Sequence, residues 1–153
     1  MGNASKARLI ALLLPLALLG GALGSQYLGG LHPCEMCYWQ RWPHGAAIVL
    51  AAFSFVTRNG TSRMLTLLAA IAIAISGAIG VYHAGVEAHV FQGLTTCTAS
   101  GALTLNEILN APLVRCDQVQ FSFLGISMAG WNAILSLGGA ALIAILLLRG
   151  RGA

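Results

Sequence analysis

The sequence predicts an all-α membrane protein, a four-transmembrane-helix bundle with two outward loops, and three observations predict it. Only 8% of the 153 residues are charged and 58% are hydrophobic, whereas a soluble domain averages about 25% charged. Four apolar windows, at residues 9–28, 39–56, 64–82 and 124–148, approach the ~20 helical residues that cross a hydrocarbon core of about 30 Å. Lysines and arginines gather at alternate ends of those windows, as expected if short basic loops stay on the cytoplasmic side. A single membrane domain over 1–153 accommodates this pattern and leaves outer loops at 29–38 and 83–123.

Lys6 and Arg8 precede the first span, which contains Pro15 and the pair Gly20-Gly21. Either feature would kink a helix, although bundle neighbours satisfy freed backbone groups in lipid. The same segment has the three regions of a secretory signal peptide, ending in the small residues around Ala22-Leu23-Gly24. Its apolar run is long for a signal core and continues to Tyr27 and Leu28, so a span is expected. Cleavage would leave the remaining topology unchanged.

The second span is the weakest, being uninterrupted only from Gly45 to Val56. It needs Tyr38, Trp39 and Trp42 as an interfacial belt, and Pro43 either kinks it or marks its start. Arg58 and Arg63 flank the turn into the third span, and Arg149 and Arg151 follow the fourth. Gly77, Gly80, Gly138 and Gly139 suit close helix packing in both. No repeat argues for a transporter built from two related halves.

This arrangement puts both termini inside. Glu35, Glu87, Glu107 and Asp117, all four acidic residues, fall outside with Cys34, Cys37, Cys97 and Cys116, all four cysteines. Because Lys6, Arg8, Arg58, Arg63, Arg149 and Arg151 are topology determinants, the net charge of +4 calls for no nucleic-acid partner. In the second loop, Leu103, Leu105, Ile108 and Leu109 form one face of a short helix, with Thr104 and Glu107 at capping-box spacing. That helix lies on the membrane surface or packs on the bundle as a plain loop helix.

Outward cysteines favour disulfides, and four allow three pairings. The two-residue gap favours Cys34 with Cys37 and leaves Cys97 with Cys116, which encloses 18 residues. Structural bracing is an alternative for both bridges. It suits Cys34 and Cys37 less, because a small ring constrains little chain. The value of Cys-x-x-Cys is chemical: thiolates are the reactive species, favoured near a helix N-terminus or a cation. If the second-span helix starts near Cys37, Arg41, four residues on, shares its helical face, whereas a start at Pro43 loosens that geometry. Zinc with His32 or His44 is disfavoured by the missing second Cys-x-x-Cys and by Arg41, so no metal is expected. Tyr38 stands where covalent haem attachment requires histidine.

The stretch "PCEMCYWQR" before the second span, the later outward cysteine pair and "FSFLGISMAGWN" entering the fourth span resemble the DsbB family of disulfide bond formation proteins. These are the quinone-reducing membrane partners of the periplasmic thiol oxidase DsbA, and the resemblance covers the whole chain in order. Vitamin K epoxide reductase relatives differ, since their Cys-x-x-Cys pair comes late in the bundle. Two departures are the Ala129 that stands where the family often has proline, and a short second loop.

The resemblance implies a multi-pass protein of the bacterial inner membrane, with periplasmic cysteines, acting as a protein-dithiol:quinone oxidoreductase. Cys97 would be attacked by a reduced DsbA-like partner and Cys116 released to attack Cys34. Cys37 would then emerge as a thiolate facing ubiquinone, or menaquinone, drawn from the membrane pool, with Arg41 stabilising the negative charge. A DsbA potential of about −120 mV demands a strong oxidant as acceptor. His83, an ionisable residue at the outer end of the third span, is the candidate for the quinone headgroup, and His44 competes with it. An interfacial histidine bonded to backbone or water is the alternative for His83. Glu35, Glu87, His32 and His89 are expected to be solvated loop residues. Trp39, Trp42 and Trp131 are expected as interfacial anchors, with Trp39 or Trp42 alternatively a wall for the quinone ring. Two other functions compete: a membrane scaffold braced by disulfides, and a haem or metal electron carrier using His44 and His83.

Overall fold

The computed structural model describes residues 2–93 and 114–150. Four helices make up almost all of that: α1 (Asn3–Tyr27), α2 (Glu35–Val56), α3 (Asn59–Glu87) and α4 (Met128–Arg149). Two short strands, β1 (Ser122–Phe123) and β2 (Ile126–Ser127), form an antiparallel hairpin before α4. Phe123 pairs with Ile126, leaving the two-residue loop Leu124-Gly125, both with positive φ, as a tight hairpin turn requires. The hairpin explains why the last helix starts at Met128, although the apolar window begins at 124.

The helices form a ring in which α1 packs on α2, α2 on α3, α3 on α4 and α4 on α1. Among the described residues, α1, α3 and α4 are long and apolar enough to cross a membrane. Pro15 does not end α1, and Pro43 lies inside α2. Helix α3 runs well beyond its apolar window at both ends. The expected helix around Leu103–Leu109 lies outside the described residues, as does Cys97.

Three layers follow the bundle axis. The inner layer is alanine-rich: Ala7, Ala11, Ala47, Ala51, Ala69, Ala70 and Ala140 close around Ile73, Ile143 and Leu147. Small side chains let apolar helices approach where lipid provides no hydrophobic drive between them. Arg8 here bonds the Ser54 carbonyl at 3.3 Å, and Arg63 bonds the Leu147 carbonyl at the end of α4 at 2.7 Å. The middle layer is polar, with Gln40, His44, Ser76 and Ser136 all buried. The outer layer is a cluster of Cys34, Met36, Val86 and Cys116. Large apolar side chains such as Leu13, Val49, Phe53 and Ile134 face outward, as suits a lipid-facing surface.

On α3, a Cβ at Gly80 would lie 3.0 Å from the Ala129 carbonyl oxygen and 3.1 Å from the Ala133 nitrogen. That backbone contact fixes α3 and α4 beside the polar layer. Gly77 makes the same close approach one turn below, against Ser136 and Leu137, while Gly138 has open space around it.

Candidate functional site

Cys34 is the N-cap of α2. Its backbone is extended, its carbonyl accepts from the amides of Cys37 and Tyr38 at 3.1 and 3.3 Å, and its sulfur accepts from the Cys37 amide at 3.3 Å. The Cys-x-x-Cys pair therefore opens the helix, with both sulfurs at its positive end. They lie 3.0 Å apart. Cys34 is 2% exposed and Cys37 half-buried. The hydrogen bond to the Cys37 sulfur, followed by burial, pushes the Cys34 thiol far above the ordinary thiol range.

The structure brings three sequence-distant groups to this sulfur. His83 Nε2, one to two turns from the end of α3, lies 3.5 Å from Cys34 Sγ. Cys116 is buried beside them, hydrogen-bonding the Cys34 thiol and, through its backbone, the His83 ring. The Cys34, Cys116 and His83 ligand atoms all fall within 4.8 Å of one another. Cys116 is flanked by an exposed bidentate pair in which Arg115 Nε donates to Asp117 Oδ1 at 2.9 Å, holding the Asp117 carboxyl below its usual range.

The hydrogen positions in this cluster follow from backbone acceptors. Gln40 Nε2 lies 3.2 Å from the Met36 carbonyl and 2.8 Å from His83 Nδ1. A carbonyl only accepts, so that nitrogen is the amide donor and His83 Nδ1 accepts. The hydrogen of neutral His83 is then on Nε2, facing Cys34. The Nε2 hydrogen is shared between the Cys116 backbone carbonyl and Cys34 Sγ, so that nitrogen presents no ligand lone pair, which argues for thiol chemistry over a Cys-Cys-His metal site.

Arg41 turns toward α1, donating to the Gln26 side-chain oxygen and, at 3.2 Å, to the Ala22 carbonyl. Its guanidinium carbon sits 5.2 Å from the Tyr38 ring centre. It borders two spaces. One is a cavity of about 660 Å³ inside the ring of helices, bounded by Leu18, Cys34, Cys37, His44, His83 and Trp131 among others. The other is a groove of about 880 Å³ between α1 and α2, along Leu23, Trp42 and Val49. The cavity falls in the ~300–1,000 Å³ range of small-molecule sites.

Several positions differ from expectation. Glu87, expected in solvent, ends α3 with Oε1 3.8 Å from His83 Nε2 and Oε2 buried without a partner. Its i, i+4 spacing from His83 was the available signal. His32 and His89 are exposed. Trp131 borders the cavity and Trp42 the groove between α1 and α2, and Trp131 Nε1 donates to the Phe123 carbonyl at 3.0 Å. The sequence reading missed Ser76 and Asn132, which join Gln40 to His44.

Comparison with known proteins decides the kinship of this arrangement. The family model described as "Disulfide bond formation protein DsbB" matches residues 4–146. The chain belongs to the DsbB family. Proteins named Disulfide bond formation protein B from Burkholderia pseudomallei (strain 1106a) and Azoarcus sp. (strain BH72) are each 30% identical to it. Those matches cover 90% and 88% of this chain and 85% and 86% of theirs. Disulfide bond formation protein B 1 of Pseudomonas fluorescens is 30% identical over 78% of this chain and 75% of its own. No solved structure gave a significant match. Membership in DsbB implies an oxidoreductase role in disulfide formation, which accords with three helices suited to a membrane and thiols gathered at one end of them.

Proposed function

We propose that the protein reoxidises a DsbA-like periplasmic dithiol oxidase and passes two electrons to a membrane quinone. In this reading all four helices cross the inner membrane, both termini are cytoplasmic and the cysteines are periplasmic. The observation that carries it is the seat of Cys34, with Cys37 Sγ at 3.0 Å and Cys116 in hydrogen-bond contact, on the wall of the 660 Å³ cavity.

The relay balances as a chain of exchanges. A partner thiolate attacks Cys97, breaking the Cys97–Cys116 bond and freeing the Cys116 thiolate. Cys116 attacks Cys34, forming the Cys34–Cys116 bond and releasing Cys37 as a thiolate. The partner's second thiol then displaces Cys97, leaving with its own disulfide. Cys97 attacks Cys116, restoring the first bridge and returning Cys34 as a thiol. The Cys34–Cys37 dithiol has then gained the partner's two electrons and two protons.

The cavity fits a quinone because its walls are mostly apolar, with the Arg41 guanidinium as a charged handle. Bound there, a quinone supplies the acceptor for those two electrons and two protons. Arg41 favours negative charge at Cys37 and at the acceptor's oxygen, and His83 Nε2–H holds Cys34 in place for Cys116. Ubiquinone is the proposed acceptor, with menaquinone as the other candidate.

The test is quinone absorbance during anaerobic mixing of the oxidised protein with reduced DsbA and ubiquinone, beside a Cys37→Ser variant. Quinone loss equal to partner disulfide, absent in the variant, is expected. No turnover by folded protein would overturn the proposal and favour the braced scaffold.

A further inference from the structure

The inner end of the bundle holds a second cavity, of about 410 Å³, that the relay leaves unused. Three arginines from three parts of the chain line it: Arg8 of α1, Arg58 in the turn between α2 and α3, and Arg63 of α3. Retention of basic residues on the cytoplasmic side requires them only near that face. It does not require three around one cavity.

These arginines lack counter-charge. Among the described residues none of the three pairs with a carboxylate. Glu35 opens α2, Glu87 closes α3 and Asp117 follows Cys116, so the described carboxylates belong to the other end of the bundle. Arg8 is half-buried, and its Nη1 makes two long bonds, 3.3 Å to the Ser54 carbonyl and 3.4 Å to the Ser62 hydroxyl. Its Nε is buried without a partner, so that nitrogen is not offered to a ligand and Arg8 acts on the cavity through its charge. Arg63 meets the Leu147 carbonyl at 2.7 Å, which answers the negative end of α4. Arg58 is exposed, and its side chain makes no capping bond at the start of α3. No acidic residue stands in the first turn of α3, so the positive end of that helix adds to the field of the arginines.

A partly buried charge without a counter-charge is costly, so the cavity calls for an anion from outside the chain. Between the arginines its walls are mostly carbon, supplied in part by Ala4 and Leu147. Such walls suit a phosphate carried on an apolar molecule better than a free ion. Basic pockets between transmembrane helices on the cytoplasmic side take lipid headgroups on the same grounds. We propose that this cavity binds the phosphate of an anionic phospholipid from the inner leaflet, clamping α1, the α2–α3 turn and the end of α4 together. The inference rests on the topology proposed above and is independent of the quinone step.

The test is native mass spectrometry of the full chain in detergent, titrated with phosphatidylglycerol, with phosphatidylcholine of the same acyl chains, and with inorganic phosphate. One phosphatidylglycerol should bind in preference to phosphatidylcholine. Arg58→Gln should lower phosphatidylglycerol affinity about fivefold, the value of one basic residue at a lipid surface, and leave phosphatidylcholine unaffected. Arg63→Gln keeps a donor for the Leu147 carbonyl and should show the same selective loss, deciding the matter if the Arg58 variant is unstable. Lys6→Gln, exposed and outside the cavity, should bind as wild type does. Equal affinity for the two lipids, or equal loss in the Lys6 and Arg58 variants, overturns the site. Displacement of the lipid by inorganic phosphate marks a free-phosphate pocket and overturns the lipid assignment. Because binding is read in detergent, these outcomes are separate from sidedness. Labelling of Gly60→Cys from outside the cell would instead overturn the topology and the inner-leaflet source with it.

Discussion

Cys34 holds the proton of the reduced pair because its two strongest influences act in one direction. The hydrogen bond to Cys37 and burial both oppose ionisation. A thiol raised this way stays protonated in the folded state at pH values where the unfolded chain ionises. Its stabilising contribution is therefore complete below the ordinary thiol range near 8.5 and is lost as pH rises beyond it. Cys37→Ser, by removing the largest cause, should bring the Cys34 ionisation to lower pH. Ultraviolet thiolate absorbance in a Cys97→Ser/Cys116→Ser background measures this; an unmoved titration would show that burial alone governs Cys34. Arg41 is tested by a ratio of rates. Charge-assisted hydrogen bonds are worth about 1.5–3 kcal/mol, so Arg41→Ala should slow quinone reduction by roughly ten- to a hundredfold. Adduct formation between the partner and Cys97 should change far less. Equal loss in both steps would reassign Arg41 to the α1–α2 contact that it also makes through Gln26 and Ala22.

Helices α3 and α4 meet with almost no space at Gly80, where any Cβ would press on the α4 backbone. Gly80→Val should cost about 1–3 kcal/mol, as overpacking commonly does. It should also loosen Asn132, one turn along α4 from Ala129. The expected readouts are a lower melting temperature and weaker quinone binding together. A stable variant with wild-type binding would mean that the two helices separate without disturbing the network. What the sequence revealed at this scale depended on the range of the chemistry. Cys34, Cys37 and Arg41 lie within two turns of one helix, so their spacing showed that they could act together, while the start of that helix at Glu35 rather than at Pro43 came only from the structure. Glu87 escaped because apolarity ends at Tyr82 while the helix continues to Glu87, and helical hydrogen bonds do not require apolar side chains. The network was hidden for another reason. Gln40 and Asn132 are 92 positions apart, so no helical spacing relates them. Only the packing of α2 and α4 on either side of α3 brings these isolated amides into one set of directed hydrogen bonds.

For the molecule as a whole, the proposed crossing of the bilayer by α2, which lies outside the three helices apolar enough to span by composition, rests on its place in the bundle. It packs along α1 on one side and α3 on the other. Its inner half supplies Ala47 and Ala51 to the alanine core, and its outer half supplies Cys34 and Met36 to the thiol cluster. The polar residues that lower its hydropathy, Gln40 and His44, are buried against α3 and α4. Lipid therefore does not meet them, and their cost in a membrane is offset by partners, as intramembrane polar groups generally require. Crossing puts the Arg58–Arg63 turn and the cysteines on opposite sides, the arrangement favoured by basic-loop retention. A cysteine-free chain carrying Gly60→Cys should accordingly react with a membrane-impermeant maleimide only after permeabilisation, while a chain retaining Cys37 alone should react in sealed spheroplasts. Labelling of Gly60→Cys from outside would place both ends of α2 on one face. The proposed path from partner thiols to a quinone within the bilayer would then be lost.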